Sequence, residues 1–319
     1  MINSCASPLF GRGIPFFEGV VLIYQLKDFG SYTIGGRLHE VTTGTPKTVH
    51  FTRTASFEVD PRGHFAVEHA YVQYFIPENR NAEPPMVFVH GGGMSGSCWD
   101  KTPDGRPGWL HLALNAGYEV HVIDNVERGR AGFAPGFWDG DPMLRSLEEA
   151  WVLFRIGSAE GFATRTPFEG QRFPVAYFDT FAQCFVPRWL GTSPLHVDAL
   201  CAVLERTGPA IVVCHSQGGE ITFDAHARVG HLMEQIIALE PSGYPDNAAG
   251  FEDTTLTICA GDYLDQDTQW QIRQAAWRKL GSLGLNARYL ASSDVGRGNS
   301  HMLMMDDNSE DVFVMVFDL

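Results

Sequence analysis

The chain has 319 residues, 44% hydrophobic and 19% charged, a globular balance with enough apolar side chain for a large two-faced core. Its formal net charge of −15 repels a phosphate backbone, which excludes nonspecific nucleic-acid binding and favours an uncharged, apolar small-molecule substrate. No apolar run reaches the ~18 residues of a membrane span, and Pro15, Glu18 and Gln25 interrupt the stretch from Ile14 to Leu26, so no signal peptide is clear and a cytoplasmic location is favoured.

Residues 1–319 are expected to form one domain, and the oligomeric state stays open, a homodimer included. The six cysteines lack CxxC spacing, which argues against a zinc knuckle or a thioredoxin motif and leaves disulfides open. The twelve histidines show no HExxH or HxH pairing, so neither metal nor cofactor is expected. His64 and His69 read as surface strand residues.

In chain order, Val20–Leu26, Gly30–Leu38, Thr48–Glu58 and Glu68–Ile76 read as short strands of an antiparallel meander, broken at Gly35-Gly36 and Asp60-Pro61-Arg62-Gly63. After Pro84-Pro85 brief apolar runs alternate with helix-like spacers, the pattern of parallel strands and crossover helices. The expected strands are Met86–His90, Tyr118–Asp124, Ala210–His215, Gln235–Glu240, Thr254–Ala260 and Ala287–Ala291. In an open parallel sheet the site lies at the carboxyl ends of such strands.

Residues 132–208 form a segment too long for a plain crossover and rich in aromatics. It reads as a helical cap with helices over Leu144–Ile156 and Pro174–Val186, and with Trp138, Phe178 and Trp189 as pocket walls.

Ala210 to Cys214 is an apolar run leading into His215-Ser216-Gln217-Gly218-Gly219 and then a helical stretch. That is the strand-to-helix turn of a nucleophile elbow, where the residues two positions from the serine must be small. A serine capping a helix is the bland alternative. Upstream, Met86 to Val89 run into His90-Gly91-Gly92-Gly93, a glycine turn that aims a backbone N–H at a developing oxyanion. A phosphate cradle is its rival, but no GxxxxGK[ST] lysine follows. The oxyanion donors are then the amides of Gly92 and Gln217, with Gly93 competing. Together the two turns lead to an α/β-hydrolase fold, a mostly parallel sheet flanked by helices. In it the histidine comes last, which selects His301 in Gly298-Asn299-Ser300-His301-Met302. Met302, Met304 and Met305 are expected to pack under that loop. For the acid, Glu240 and Asp262 both end strands, and either position can hold the imidazole.

The chain resembles the bacterial esterase 713-like family. The resemblance is carried by Gly30-Ser31-Tyr32-Thr33-Ile34-Gly35-Gly36-Arg37, by Thr102-Pro103-Asp104-Gly105-Arg106 with Gly108-Trp109, by His215-Ser216-Gln217, by Leu239-Glu240-Pro241 and by Gly298 to Met302. It implies a Ser216, His301 and Glu240 triad, with Gly92 and Gln217 as oxyanion donors. Gly92-Gly93 and Cys214 are not fixed family choices, and Glu127 stands where glycine is usual. The implied activity is hydrolysis of a carboxylic ester through an acyl-enzyme. An amide, lactone or thioester would use the same constellation, and a noncatalytic ligand-binding protein on this fold is the alternative from another class.

Overall fold

The computed structural model describes residues 24–318 apart from 133, 135, 246–248 and, within 268–286, all but 269, 272, 275, 278, 279, 282 and 285. The first strands are β1 (Leu26–Val41), β2 (Lys47–His50), β3 (Ser56–Val59), β4 (Gly63–Pro77) and β5 (Met86–Val89). Then come α1 (Trp109–Asn115), β6 (Val120–Asp124), α2 (Leu147–Leu153), α3 (Phe178–Ala182) and α4 (Ser193–Thr207). The remaining elements are β7 (Ala210–His215), α5 (Gln217–Val229), β8 (Met233–Leu239), β9 (Thr255–Ala260), β10 (Ala287–Ala291) and α6 (Ser309–Phe317).

Eight strands form one sheet in the order β1-β4-β6-β5-β7-β8-β9-β10. β4 is antiparallel to both neighbours, and every pairing from β6 to β10 is parallel. Along β5, Met86 and Phe88 enter one apolar core while Val87 and Val89 enter another, so helices cover both faces. α1, α2, α3 and α6 supply the first core, α4 and α5 the second. This is the expected architecture, and the parallel strands end within two residues of their expected bounds.

The N-terminal region differs from the meander of four short strands. Gly35 and Gly36 do not end a strand: they take φ +72° and +78° inside β1, which pairs with β4 along its whole 16 residues. Glycine is required there because a Cβ on Gly36 would lie 2.5 Å from the Val67 carbonyl oxygen. Thr48–Glu58 is not one strand but the hairpin β2/β3, in a separate two-stranded sheet. Val20–Ile23 and Cys5 lie outside the described residues, as does the stretch from Ile14 to Ile23.

The expected helix Leu144–Ile156 is the shorter α2, started by the Ser146 hydroxyl, which accepts from the Glu149 amide (3.1 Å). It stops before Arg155, whose φ of 55° turns the chain toward the carboxyl end of the sheet. Pro174–Val186 is likewise reduced, to a 3-10 turn at Val175–Tyr177 followed by α3. α4, at the end of the 132–208 segment, packs on α5 and β1 as the crossover into β7.

Candidate active site

Ser216 joins β7 to α5 with φ 51° and ψ −118°, a conformation L-residues rarely adopt. The turn is fixed from three sides: the Ser216 amide donates to Leu239 O (3.1 Å), and its carbonyl accepts from the amides of Gly219 (2.9 Å) and Ser242 (2.8 Å). Two residues on, a Cβ at Gly218 would come 2.7 Å from Val89 O, so only glycine lets α5 start this close to β5. Two residues back, Cys214 is fully buried, and burial pushes its thiol pKa up to about 12, which leaves it inert. Ser216 itself is partly exposed, with Oγ 3.4 Å from Ser242 Oγ.

His301 follows β10 in a buried loop, and its Nδ1 donates to Glu240 Oε2 at 2.5 Å. The ring stacks on Phe154 with centroids 5.7 Å apart and planes 8° apart. The Phe154 carbonyl also accepts from the His301 amide (3.0 Å). His215, next to the serine, donates from Nε2 to the His301 carbonyl (2.9 Å), which ties the histidine loop to the Ser216 turn.

Glu240 directly follows β8 with φ 43° and is fully buried. Besides His301, its carboxylate accepts from Arg155 Nη1 (2.9 Å), from Arg155 Nη2 and from the Gly261 amide (2.6 Å). Burial alone would push its pKa up, but the Arg155 guanidinium and His301 outweigh it and hold the carboxyl well below its ordinary value. Asp262 is occupied differently: its Oδ2 accepts from the amides of Gly298 (2.8 Å) and Asn299 (2.9 Å), so it pins the loop and not the imidazole. Asp306 braces the same loop, with Oδ2 accepting from Ser300 N (2.7 Å) and Asn299 Nδ2 (3.1 Å) and Oδ1 2.7 Å from Ser300 Oγ. Met302, Met304 and Met305 are buried in the first core.

On the other side of Ser216, a Cβ at Gly91 would fall 2.8 Å from His215 Nδ1 and 3.1 Å from Ser216 Cβ. One at Gly92 would lie 3.0 Å from Gln217 Oε1 and run into Arg188 Nη1. Gly92 and Gln217, the first residue of α5, are therefore neighbours. Gly93 has room for a side chain, but its φ of +74° favours glycine. His90 anchors this turn: Nε2 accepts from the Asn125 amide (3.1 Å), so Nδ1 carries the proton and donates to Gly91 O (2.8 Å). Burial and the nearby Arg128 lower its pKa to about 4, so it stays neutral.

Glu127 has φ 67°, which explains why glycine suits that position. Glutamate is held there because its Oε1 accepts from the Trp189 amide (3.0 Å) and pairs with the buried Arg128 Nε (3.2 Å). Of the expected wall residues, Trp189 packs on Trp138 with centroids 4.7 Å apart. Phe178 is two rings removed from the imidazole, through Phe181 and Phe154. From the sequence Phe154 is only one of the aromatics of the 132–208 segment, and Arg155, Arg188 and Asp306 carry no expectation. The only available signal was an arginine embedded in an apolar aromatic run, Trp151-Val152-Leu153-Phe154-Arg155. Among the described residues no group of three or more His, Cys, Asp or Glu converges on a metal-sized space. No helix among them is long and apolar enough to cross a membrane.

No family model matches the chain. A bacterial esterase of solved structure superposes with a TM-score of 0.80 at 27% identity, over 94% of this chain and 96% of that one. A probable secreted lipase of Fungal sp. (strain ATCC 74256) is 33% identical over 184 residues, 55% of this chain. The chain spans about half the length of that curated relative, and the aligned part is 50% of it.

Proposed function

We propose that this member of the α/β-hydrolase superfamily is a serine esterase that cleaves small carboxylic esters through a Ser216-His301-Glu240 triad. The observation that carries the reading is the 2.5 Å contact from Glu240 to His301 Nδ1, in a loop tied to the residue preceding a strained, accessible Ser216. With Nδ1 committed to the carboxylate, Nε2 is the nitrogen left to take the serine proton. The Ser216 hydroxyl then attacks the ester carbonyl, and the amides of Gly92 and Gln217 stabilise the oxyanion. His301 returns the proton to the leaving alcohol, and afterwards activates the water that releases the acyl group. Glu240 keeps the ring oriented and stabilises the imidazolium.

The similarity to a bacterial esterase and to a fungal lipase favours esters over amides, lactones or thioesters. Segment 132–208 serves in this reading as a cap: it supplies Phe154 to the imidazole, Val186 N to the Gly93 carbonyl (2.9 Å) and Arg188 to the Gly92 turn. The similarity to a probable secreted lipase favours export over the cytoplasmic location expected from sequence. The test is a fluorophosphonate probe on the native chain and on Ser216→Ala, together with turnover of p-nitrophenyl esters. Stoichiometric labelling lost in Ser216→Ala is expected. Folded native protein that neither labels nor turns over any ester is a noncatalytic binding protein.

A further inference from the structure

We propose that Arg188 is a specificity-determining residue that binds a carboxylate carried by the substrate, so that the preferred ester is a half-ester of a short dicarboxylic acid. The inference rests on the reading of Ser216 as nucleophile and departs from the uncharged substrate that net charge alone suggests.

The position of the guanidinium carries the argument. Its Nη1 occupies the space that a Gly92 side chain would need and donates to Gln217 Oε1 (2.9 Å), so the charge sits at the Gly92 turn, against the Gln217 side chain. Among the described residues no carboxylate lies within 4.0 Å of it, and its side-chain acceptor is a neutral amide. The chain has 38 acidic residues against 23 basic ones, so an ion-pair partner would be easy to supply. The other described arginines that are buried or half-buried each have one: Arg106, Arg128, Arg145, Arg155, Arg165 and Arg172. Arg188 alone among them is left to an external anion.

The group is also held in place. Met143 and Arg188 exchange both backbone hydrogen bonds (2.8 and 3.0 Å), and Trp189 beside it is anchored on Glu127. A guanidinium fixed before binding loses little freedom when a planar carboxylate docks on it. Partial burial and the nearby Arg145 disfavour the charged form, whereas Glu127 and Glu220 favour it from beyond ion-pair distance. An arriving carboxylate would favour the charged form in the same sense as those two glutamates, but at hydrogen-bonding distance. A charge-assisted hydrogen bond in such a site is worth about ten- to a hundredfold in affinity.

The experiment compares kcat/KM, per fluorophosphonate-titrated site, for mono-p-nitrophenyl succinate, glutarate and adipate and for the same compounds with the distal carboxyl methylated. The native chain should prefer at least one ionised half-ester over its methylated counterpart. Arg188→Gln should lower that preference about ten- to a hundredfold, and Arg188→Lys should restore part of it. An equal loss on charged and methylated esters would mean that Arg188 acts on the reacting oxygen, and an unchanged preference that it faces no substrate; either overturns the inference. Calorimetry of glutarate binding to Ser216→Ala, with and without Arg188→Gln, separates this from the nucleophile. Arg188-dependent binding in a protein that never labels keeps the anion site and sinks the triad, while labelling without such binding does the reverse.

Discussion

Arg155 lies inside the protein with both Nη atoms on the carboxylate of Glu240, directly behind the imidazole of His301. Both partners are buried, so their attraction is opposed by a large desolvation cost, and removing one leaves the other charge stranded. Arg155→Met is expected to destabilise the fold by about 3–5 kcal/mol in urea titration. Glu240 is depressed in the fold, so its contribution is present above the unfolded pKa and lost as pH falls through the folded one. Without Arg155 the folded value rises, and the acid limb of the esterase profile should move to higher pH. Arg155→Lys should move it less. An unmoved limb in folded Arg155→Met would show that the arginine does not set the carboxylate's charge.

Glu240→Gln and Asp262→Asn should separate sharply on one ester. Loss of the carboxylate on Nδ1 lets the ring take the wrong tautomer and lowers turnover on the order of a thousandfold or more. Asp262→Asn keeps an oxygen for the amides of Gly298 and Asn299, so turnover should stay within about tenfold, with ~1 kcal/mol of stability lost. The reverse pattern would transfer the acid's role to Asp262.

At Glu127 two effects oppose. Glycine would relieve a left-handed backbone at a gain of about 1 kcal/mol, but it would strand the buried Arg128 at a cost of about 3–5 kcal/mol. Glu127→Gly should therefore lower the melting temperature. A rise would show that backbone strain outweighs the ion pair.

Burial raises the Asp306 pKa to about 7, against the hydrogen bonds from Ser300 and Asn299 that oppose the rise. A carboxyl raised in the fold keeps a proton that the unfolded chain releases, so this group makes stability fall as pH rises between about 4 and 7. Asp306→Asn mimics the protonated form, since its amide can donate to Ser300 Oγ while its oxygen accepts from Ser300 N and Asn299 Nδ2. Urea midpoints at pH 5 and pH 7.5 should differ less in Asp306→Asn than in the native chain. An equal difference would assign the slope to other groups.

If segment 132–208 is a cap, its aromatics set chain-length preference. Phe154→Ala, on the imidazole, should change the rate ratio between short and long acyl esters more than Phe178→Ala, two rings away. Ratios untouched by these and by changes at Trp138 and Trp189 would remove the cap from substrate selection.

The parallel half of the sheet was legible because strands buried on both faces must be continuous apolar runs, as in Ala210 to Cys214 and Met86 to Val89. The strand-to-helix turn at Ser216 was legible because an apolar run meets small residues there, and Gly218 leaves room for no side chain. The N-terminal half was misread where Gly35-Gly36 bends a strand without ending it. A glycine pair signals a special backbone conformation but not whether pairing resumes beyond it. The helices of segment 132–208 were drawn too long because aromatic spacing does not record where a chain turns to reach a distant partner, as it does at Arg155.

Sequence by itself determined the local chemistry: a serine on a tight strand-to-helix turn, a glycine turn after an apolar strand, a late histidine, and two carboxylates at strand ends. These are properties of a few consecutive residues. Tertiary structure alone decided which carboxylate meets the imidazole, that Arg155 stands behind it, and that Arg188 reaches the Gly92 turn and the Gln217 side chain. Those facts depend on side chains separated by 61, 85 and, between Arg188 and Gln217, 29 positions. Whether such groups pair is set by how the sheet and the segment above it pack, and no local pattern encodes that.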